Sequence, residues 1–209
     1  MNILAIGAHF DDLELGCGGT VARHAAEGNS VYAYVATKSG YKAPDNSTVR
    51  SDEIALAEGK AAMNILGAEL ICGSFPAFEV EFNDELNRQI VQIIQDKNIQ
   101  RIYTHWIGDT HHDHQVVARA SLHACRHVPD VLMYRSNWYD TSVSFHGNFY
   151  VDISDYWQKK EDAINVHVSE IKRTGSKWIE YFKREAKNSG LRAGVKYAEV
   201  FEVVKWLEK

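Results

Sequence analysis

The sequence predicts an α/β fold of the Rossmann-like type, in which a mostly parallel sheet carries helices on both faces. Short apolar runs alternate with longer segments whose apolar residues recur at helical spacing. This strand–helix–strand order is typical of parallel sheets with right-handed crossovers. The 209 residues are 45% hydrophobic and 24% charged, which is ordinary for a globular protein. We predict one domain over residues 1–209.

The first four elements are predicted from apolar patterns and from glycines. Residues 2–8 form a continuous apolar run before a polar loop, as expected for a strand buried on both faces. Residues 18–28 fit a helix that ends at a glycine, and residues 30–37 are rich in valine and tyrosine, like a strand. Residues 51–66 carry one apolar stripe at helical spacing, and Gly67 lies just past their end.

The remaining elements are predicted in the same way. Residues 83–97 repeat the helical period, and residues 101–105 fit a short strand. The aromatic-rich stretch that ends at residue 153 is predicted to consist of strands and loops. A helix over residues 156–170 and a strand over residues 197–204 complete the pattern.

Charge and composition argue against several classes of protein. The 23 basic and 28 acidic residues give a net charge of −5, unlike a protein that binds nucleic acid or anionic membranes. Three cysteines are an odd number for a disulfide framework, which predicts a reducing compartment. No segment approaches the roughly 18 apolar residues of a membrane span, so we expect a cytoplasmic protein without membrane insertion. The sequence leaves open whether the chain forms a homo-oligomer.

Two polar loops contain the residue types that bind metal ions. Residues 8–12 follow the first predicted strand and read Ala-His-Phe-Asp-Asp, and residues 111–114 follow the strand at 101–105 and read His-His-Asp-His. Ligands gather at the carboxyl ends of the strands in doubly wound sheets, so these loops meet if their strands are neighbours. Two imidazoles and a carboxylate without thiols are typical of a catalytic metal site that leaves positions for water and substrate.

Other interpretations of these residues stay open at this point. A histidine or aspartate in such a loop is often a cap or a turn residue. Two histidines and one carboxylate also form the facial triad of non-haem iron oxygenases. The glycine-rich residues 16–20 invite comparison with a dinucleotide-binding motif, but its third glycine is missing and no acid ends the second strand. Cys17 is interpreted as a small packed residue. Four further histidines are interpreted as surface or locally bonded residues: His24, His123, His127 and His146.

The two polar loops carry a family resemblance. Residues 8–20, AHFDDLELGCGGT, resemble the AHPDDxExGxGGT signature of the PIG-L/LmbE family of metal-dependent de-N-acetylases, which remove an acyl group from an amino-sugar nitrogen. Residues 111–114 resemble the HxDH motif of that family. Residues 160–169 and 194–201 are similar to two later family motifs, so the resemblance spans nearly the whole chain.

The resemblance implies a set of metal ligands. His9, Asp12 and His114 match the family's ligands, usually for one zinc ion per chain, with other divalent ions such as Fe²⁺ as alternatives. The departures from the family pattern are small. Phe10 stands at the family's proline, and Glu170 stands where glutamine is usual.

The resemblance also implies roles for the residues around the metal ion. Asp11 would be the general base, and His111 would be the electrostatic partner or general acid. Asp113 would orient His111 through a hydrogen bond. Arg50 matches an arginine that faces the substrate, with a solvated helix start as its alternative role. His167 matches a histidine near the site, although packing of a helix explains it equally well.

The substrate that the resemblance implies is a small amino sugar of the N-acetylglucosamine type. Amide hydrolysis suits a metal site, because a bound metal ion polarises the carbonyl and lowers the pKa of bound water from about 15.7 toward 7. Four aromatic residues are candidates for stacking on the sugar or for the core: Trp106, Trp138, Tyr139 and Phe145. The alternatives are an inactive family member that binds sugars, and a non-haem iron oxygenase.

Overall fold

A computed structural model of the chain describes residues 1–208, in which strands and helices alternate. The strands are β1 (Asn2–Gly7), β2 (Ser30–Thr37), β3 (Tyr41–Lys42), β4 (Thr48–Arg50), β5 (Glu69–Phe75), β6 (Arg101–His105), β7 (Asp130–Tyr134), β8 (Phe149–Asp152) and β9 (Ala198–Lys205). The helices are α1 (Asp12–Ala26), α2 (Asp52–Leu66), α3 (Asp84–Asp96), α4 (His112–Ala124), α5 (Trp157–Asn165), α6 (Val168–Thr174) and α7 (Lys177–Ala193).

Seven strands form one sheet in the order β5-β2-β1-β6-β7-β9-β8. The first five of these pair in parallel, and β9 pairs antiparallel with both β7 and β8. The short strands β3 and β4 form a separate antiparallel hairpin. The predicted α/β fold is therefore confirmed. Because β1 and β6 are parallel neighbours, the loops that follow them leave the same edge of the sheet.

Both faces of β1 are buried, which explains its continuous apolar run. Ile3 and Ala5 belong to the core that packs against α1, α2 and α5. Leu4 and Ile6 belong to the core on the opposite face, against α3 and α4. The central strand is thereby fixed between two layers of helices, and the loop at its end is held in a defined place.

Helix α1 differs from its prediction. It begins at Asp12 rather than at residue 18, and its backbone is non-helical at Cys17, with φ of −144°. A Cβ atom on Gly16 would lie 2.1 Å from the ring of Tyr134, and one on Gly19 would lie 2.7 Å from Ile153. The glycines of this run therefore allow close packing across the break in the helix.

Several elements were not predicted, and one prediction was wrong. The sequence pattern missed β3, β4, β5, β7, α4 and α7, and the predicted helix over residues 156–170 is two helices, α5 and α6, that meet near His167. β5 is an edge strand with partly buried and exposed residues, so it lacks an apolar run. α4 begins inside the polar motif that was interpreted as a loop. None of the described helices is long and apolar enough to cross a bilayer.

Candidate active site

The two polar loops meet at the carboxyl ends of β1 and β6. His9 follows β1, Asp12 is the first residue of α1, and His114 lies in the first turn of α4. Asp11 adopts a φ of 135°, an unusual backbone conformation for a residue with a side chain, and it stands at the N-cap position of α1 without a capping hydrogen bond from its carboxylate. This sharp turn places two consecutive aspartates at the mouth of one cleft.

Three side chains converge on one point. His114 Nε2 lies 3.1 Å from Asp12 Oδ1 and 3.3 Å from His9 Nδ1. His9 Nδ1 lies 3.4 Å from Asp12 Oδ2. Two atoms that bind the same zinc ion in tetrahedral geometry lie about 3.3 Å apart, given metal–ligand distances of about 2.0–2.2 Å. The spacing and the chemistry of this donor set therefore fit one divalent metal ion.

The far nitrogen of each of these imidazoles faces a carboxylate. His9 Nε2 lies 2.9 Å from Asp113 Oδ2, and His114 Nδ1 lies 3.2 Å from Asp109 Oδ2. A proton on each far nitrogen leaves the near nitrogens as lone pairs that face one another and Asp12. Such a group needs a positive charge among its atoms, because lone pairs and a carboxylate repel at this distance.

The nearby carboxylates also raise the proton affinity of the two imidazoles. Burial by itself lowers the pKa of His9, but Asp113 and Asp12 outweigh it and raise that pKa to about 9. Burial likewise lowers the pKa of His114, but Asp12 and Asp109 outweigh burial and raise that pKa to about 10. The pocket thus attracts positive charge, whether a proton or a metal ion supplies it.

Two further histidines lie within reach of the same point. His9, His111 and His114 form one candidate ligand group among the described residues, and Asp12, His105 and His114 form another. His105 Nε2 lies 3.0 Å from the backbone nitrogen of Ala8 and 3.1 Å from Asp12 Oδ2. His105 is fully buried and stacks on the ring of His114, so it also helps to position that imidazole.

The structure corrects the partner predicted for Asp113. Its carboxylate accepts hydrogen bonds from His9, from the backbone N–H of Phe78 at 2.7 Å and from that of Val80 at 3.4 Å. It makes no hydrogen bond with the side chain of His111, which instead accepts one from the backbone N–H of Asp113. Both residues lie at the start of α4, where the carboxylate points back toward β1. Asp113 therefore orients the imidazole of His9.

His111 lies at the cleft with one nitrogen free. Its Nδ1 accepts the backbone N–H of Asp113 at 3.2 Å and thereby caps α4. Burial, together with the neighbouring His114 and His9, lowers the pKa of His111 to about 4. The ring is therefore neutral, and its proton is on Nε2. General acid catalysis by His111 would need a charged imidazolium, whereas this ring is a neutral hydrogen-bond donor.

Asp11 is not among the three converging donors, although it lies beside them. Arg50 is 2% exposed, and its guanidinium donates to the backbone oxygen of Phe10 at 3.0 Å and to Asp11 Oδ2 at 3.3 Å. Burial and the charge of Asp12 raise the pKa of Asp11 to about 7, against the opposing effect of Arg50. Arg50 therefore holds the carboxylate of Asp11 in place, in addition to lining the cleft.

His167 lies behind Arg50 and is fully buried. Its Nδ1 accepts from Arg50 at 3.0 Å, and its Nε2 lies 2.8 Å from Glu14. A chain of polar contacts thus runs from Glu14 through His167 and Arg50 to Asp11. It connects helix α6 to the turn that carries the aspartates, so His167 acts on the site through Arg50.

The converging residues lie in a cleft of about 340 Å³, and several aromatic side chains line it. Trp138 and Tyr139 are two of them, whereas Trp106 and Phe145 pack against each other elsewhere. Glu170 lies at the cleft wall, where it accepts from Tyr41 Oη at 2.8 Å and pairs with Arg173. Further residues that the sequence pattern did not indicate are Phe78, His105, Asp109 and Ser136.

Known proteins similar to this chain share its family and its fold. Residues 4–125 match the family model described as PIG-L: GlcNAc-PI de-N-acetylase. An uncharacterized deacetylase of Escherichia coli K12, YaiS, is 35% identical over 175 residues, which cover 80% of this chain and 90% of YaiS. The diacetylchitobiose deacetylase of Thermococcus kodakarensis is 26% identical over 216 residues, which cover 94% of this chain and 80% of that enzyme.

A solved structure shows that the same fold also occurs with another reaction. GalB, the 4-carboxy-2-hydroxymuconate hydratase of Pseudomonas putida KT2440, superposes with a TM-score of 0.84 at 17% identity. The match covers 100% of this chain and 98% of GalB. This likeness extends to the fold alone, so the reaction must be argued from the residues of the site.

Proposed function

This chain belongs to the PIG-L family, described as GlcNAc-PI de-N-acetylase, and from that membership we propose that it removes the N-acetyl group from a small amino sugar. The observation that carries the proposal is the convergence of His9 Nδ1, Asp12 and His114 Nε2 at 3.1–3.4 Å beside the separate carboxylate of Asp11. This combination offers three ligands and one free base in a single cleft. An N-acetylglucosamine-type sugar is favoured because the Thermococcus kodakarensis relative is named for diacetylchitobiose.

The three converging residues would hold a divalent ion, zinc in the first instance. Such an ion polarises a carbonyl group and lowers the pKa of bound water from about 15.7 toward 7. Asp113 and Asp109 fix the two imidazoles, each through the nitrogen that faces away from the converging point. The role of the rest of the site is to position the amide and to move its protons.

Asp11 is the proposed general base. Its carboxylate takes a proton from the attacking water, and Arg50 keeps it beside the three ligands without making it one of them. His111 donates its Nε2 proton as a hydrogen bond to the amide oxygen, where negative charge develops in the transition state. The proton held by Asp11 then passes to the departing amine nitrogen, so that acetate and the free amino sugar leave.

The proposal is tested by metal content and acetate release together. Purified protein should contain about one zinc ion per chain and release acetate from N,N'-diacetylchitobiose or N-acetylglucosamine. His114→Ala should lose both the metal ion and the activity. His123→Ala serves as the control, because His123 lies on the same helix and is exposed.

The alternatives give different results in the same experiment. Bound iron with oxygen-dependent turnover and no acetate would indicate an oxygenase. Sugar binding with a bound metal ion but no acetate release would indicate an inactive member of the family. Protein that binds no metal ion after reconstitution with zinc would overturn the proposed mechanism.

A further inference from the structure

Phe78 combines two unfavourable features at the mouth of the cleft. Its side chain is 55% exposed to solvent, although it is a large apolar group, and its backbone φ is 68°. A bulky residue rarely adopts this left-handed conformation, and such strain concentrates at sites that bind ligands. The residue lies in the loop between β5 and α3, at the same edge of the sheet as the metal-binding loops.

The backbone of Phe78 has a structural role that its side chain does not share. Its N–H donates to Asp113 Oδ2 at 2.7 Å, and Asp113 orients His9. Every residue except proline supplies this N–H, and glycine or asparagine would supply it with less strain. The hydrogen bond therefore explains the conformation of the loop, and the aromatic ring needs an explanation of its own.

The ring lies directly beside the reacting groups. Its centre is 5.4 Å from that of His111 and 6.2 Å from that of His9, and the ring of Tyr41 packs edge-on at 5.8 Å. Asp11, His111 and Phe78 line the same cleft, so a sugar whose N-acetyl group lies at Asp11 and His111 would occupy the cleft beside this exposed ring. The C–H groups on one face of a pyranose form an apolar patch, which gains free energy when an aromatic ring removes it from water.

We propose that Phe78 is the platform on which the pyranose ring of the substrate packs, and this inference rests on the proposed deacetylase function. The contact determines specificity for a sugar ring over an amide without a ring. It also couples recognition to the metal site, since the same residue holds Asp113 through its backbone.

The test separates the ring from the backbone by Phe78→Gly and Phe78→Asn, two residues that suit a positive φ. Both should raise the KM for N,N'-diacetylchitobiose about 10-fold to 100-fold. For N-acetylethanolamine, an amide without a sugar ring, both should lower kcat/KM far less than they do for the sugar. Their metal content should equal that of the wild type, and their melting temperature should stay within about 2 °C of it. Phe78→Tyr should retain the wild-type KM.

Phe82 provides the matched control. It is an aromatic residue of the same loop and is 52% exposed, but it packs against His123 outside the cleft. Phe82→Ala should leave the kinetic constants for both substrates unchanged. An equal loss of rate for the sugar and for the amide without a ring would overturn the platform, because it would mean that Phe78 only shields the site from water.

Binding provides a measurement that does not depend on turnover. Titration of N,N'-diacetylchitobiose into the Asp11→Asn protein, with and without Phe78→Gly, should give the same 10-fold to 100-fold loss of affinity. Equal affinity in the two proteins would overturn the platform while leaving the proposed deacetylase intact. Wild-type protein that releases no acetate although the sugar binds through Phe78 would overturn the function and not the platform. If neither Asp11→Asn protein binds the sugar and the wild type releases no acetate, both the platform and the proposed deacetylase function would be overturned.

Discussion

Two groups of charged or ionisable side chains contact helix α1, and they differ in whether the facing atoms of the group include a hydrogen-bond donor. The first contains Asp12, His9 and His114, whose facing atoms lie 3.1–3.4 Å apart. The second contains Lys160 and Glu199, which are 2% and 5% exposed and form an ion pair at 2.5 Å. The side chains of both groups are ionisable and at most 14% exposed, so neither burial nor charge alone identifies a ligand site.

Lys160 and Glu199 form a closed group, by which we mean that their hydrogen-bonding atoms have partners within the protein. Glu199 accepts from the backbone N–H groups of Gly19 and Thr20 and from the hydroxyl of Thr20, and Lys160 donates to the backbone oxygen of Leu15 at 2.8 Å. These bonds satisfy the backbone where α1 breaks at Cys17. In the first group, by contrast, two imidazole lone pairs and a carboxylate face one another. What distinguishes the first group is therefore that its two imidazole nitrogens face each other with no donor between them, although Asp12 also accepts from the backbone N–H groups of Ala8 and His9 and from the hydroxyl of Ser136.

The largest effect is expected from removing the proposed base while the group of His9, Asp12 and His114 stays intact. Asp11→Asn should lower turnover by about 10²-fold to 10⁴-fold, the usual contribution of a general base. Its metal content should stay near one ion per chain, because Asp11 is not one of the converging donors. Asp12→Asn is the matched change at the next residue and should lose the metal ion. Elemental analysis beside acetate release tests both, and loss of metal in Asp11→Asn would show that the two roles are wrongly divided.

A substitution in the Lys160–Glu199 pair should lower the free energy of unfolding and leave metal binding unchanged. Lys160→Met leaves the buried carboxylate of Glu199 without its counter-ion, and removal of one partner from such a pair costs about 3 kcal/mol. Urea unfolding should show this loss, and the double variant Lys160→Met/Glu199→Gln should recover part of it. The folded variant should bind zinc as the wild type does. Loss of zinc from folded Lys160→Met would remove the distinction between the two groups.

A smaller effect is expected from the carboxylate that orients His9. Asp113→Asn keeps the size of the side chain but removes the charge that fixes the imidazole, so affinity for zinc should fall about 10-fold to 100-fold. Competition with a chelator of known affinity measures the change. Asp84→Asn is the control, because Asp84 also lies in the first turn of a helix but is exposed. Unchanged affinity in Asp113→Asn would mean that His9 does not depend on this contact.

The sequence predicted those parts of the site whose position depends on residues that are adjacent in the chain. His9 and Asp12 had to lie at the end of the first strand, because an apolar run precedes them directly. Their approach to His114 followed once β1 and β6 were neighbours, as a doubly wound sheet requires. The assignment of separate roles to Asp11 and Asp12 depended on the resemblance to a family, and it stays a prediction.

The residues that the sequence did not predict depend on contacts across the fold. Asp109 and His105 lie only five and nine residues before His114, but the irregular turn between β6 and α4 that brings these side chains together has no periodic pattern. Asp113 was assigned to His111 because the two are near in sequence, whereas the structure pairs it with His9, 104 positions away. Phe78 belongs to a loop without regular structure, so no periodic pattern identified it.

The smallest effect concerns a buried histidine outside both groups. His24 is 8% exposed, and its Nε2 contacts the hydroxyl of Tyr103 at 2.9 Å. Burial, assisted by the positive charge of Arg101, lowers the pKa of His24 to about 4, the opposite of the shift at His9. The same residue type thus gains or loses proton affinity according to the balance between burial and nearby carboxylates, and among the described residues His24 has only the exposed Glu27, at 3.7 Å from its Nδ1.

This shift makes stability depend on pH. Below about pH 6.5 the unfolded chain binds a proton at His24 that the folded protein does not accept until pH 4, so the free energy of unfolding falls as the pH drops through that window. Between pH 7 and pH 5, the free energy of unfolding of His24→Gln should therefore fall by about 1–2 kcal/mol less than that of the wild type, as measured by urea unfolding. Above pH 7 the two proteins should show the same dependence, since His24 is neutral in both of its states. Equal losses of unfolding free energy on acidification would mean that folded His24 already carries a proton, and that burial does not outweigh the attraction of Glu27.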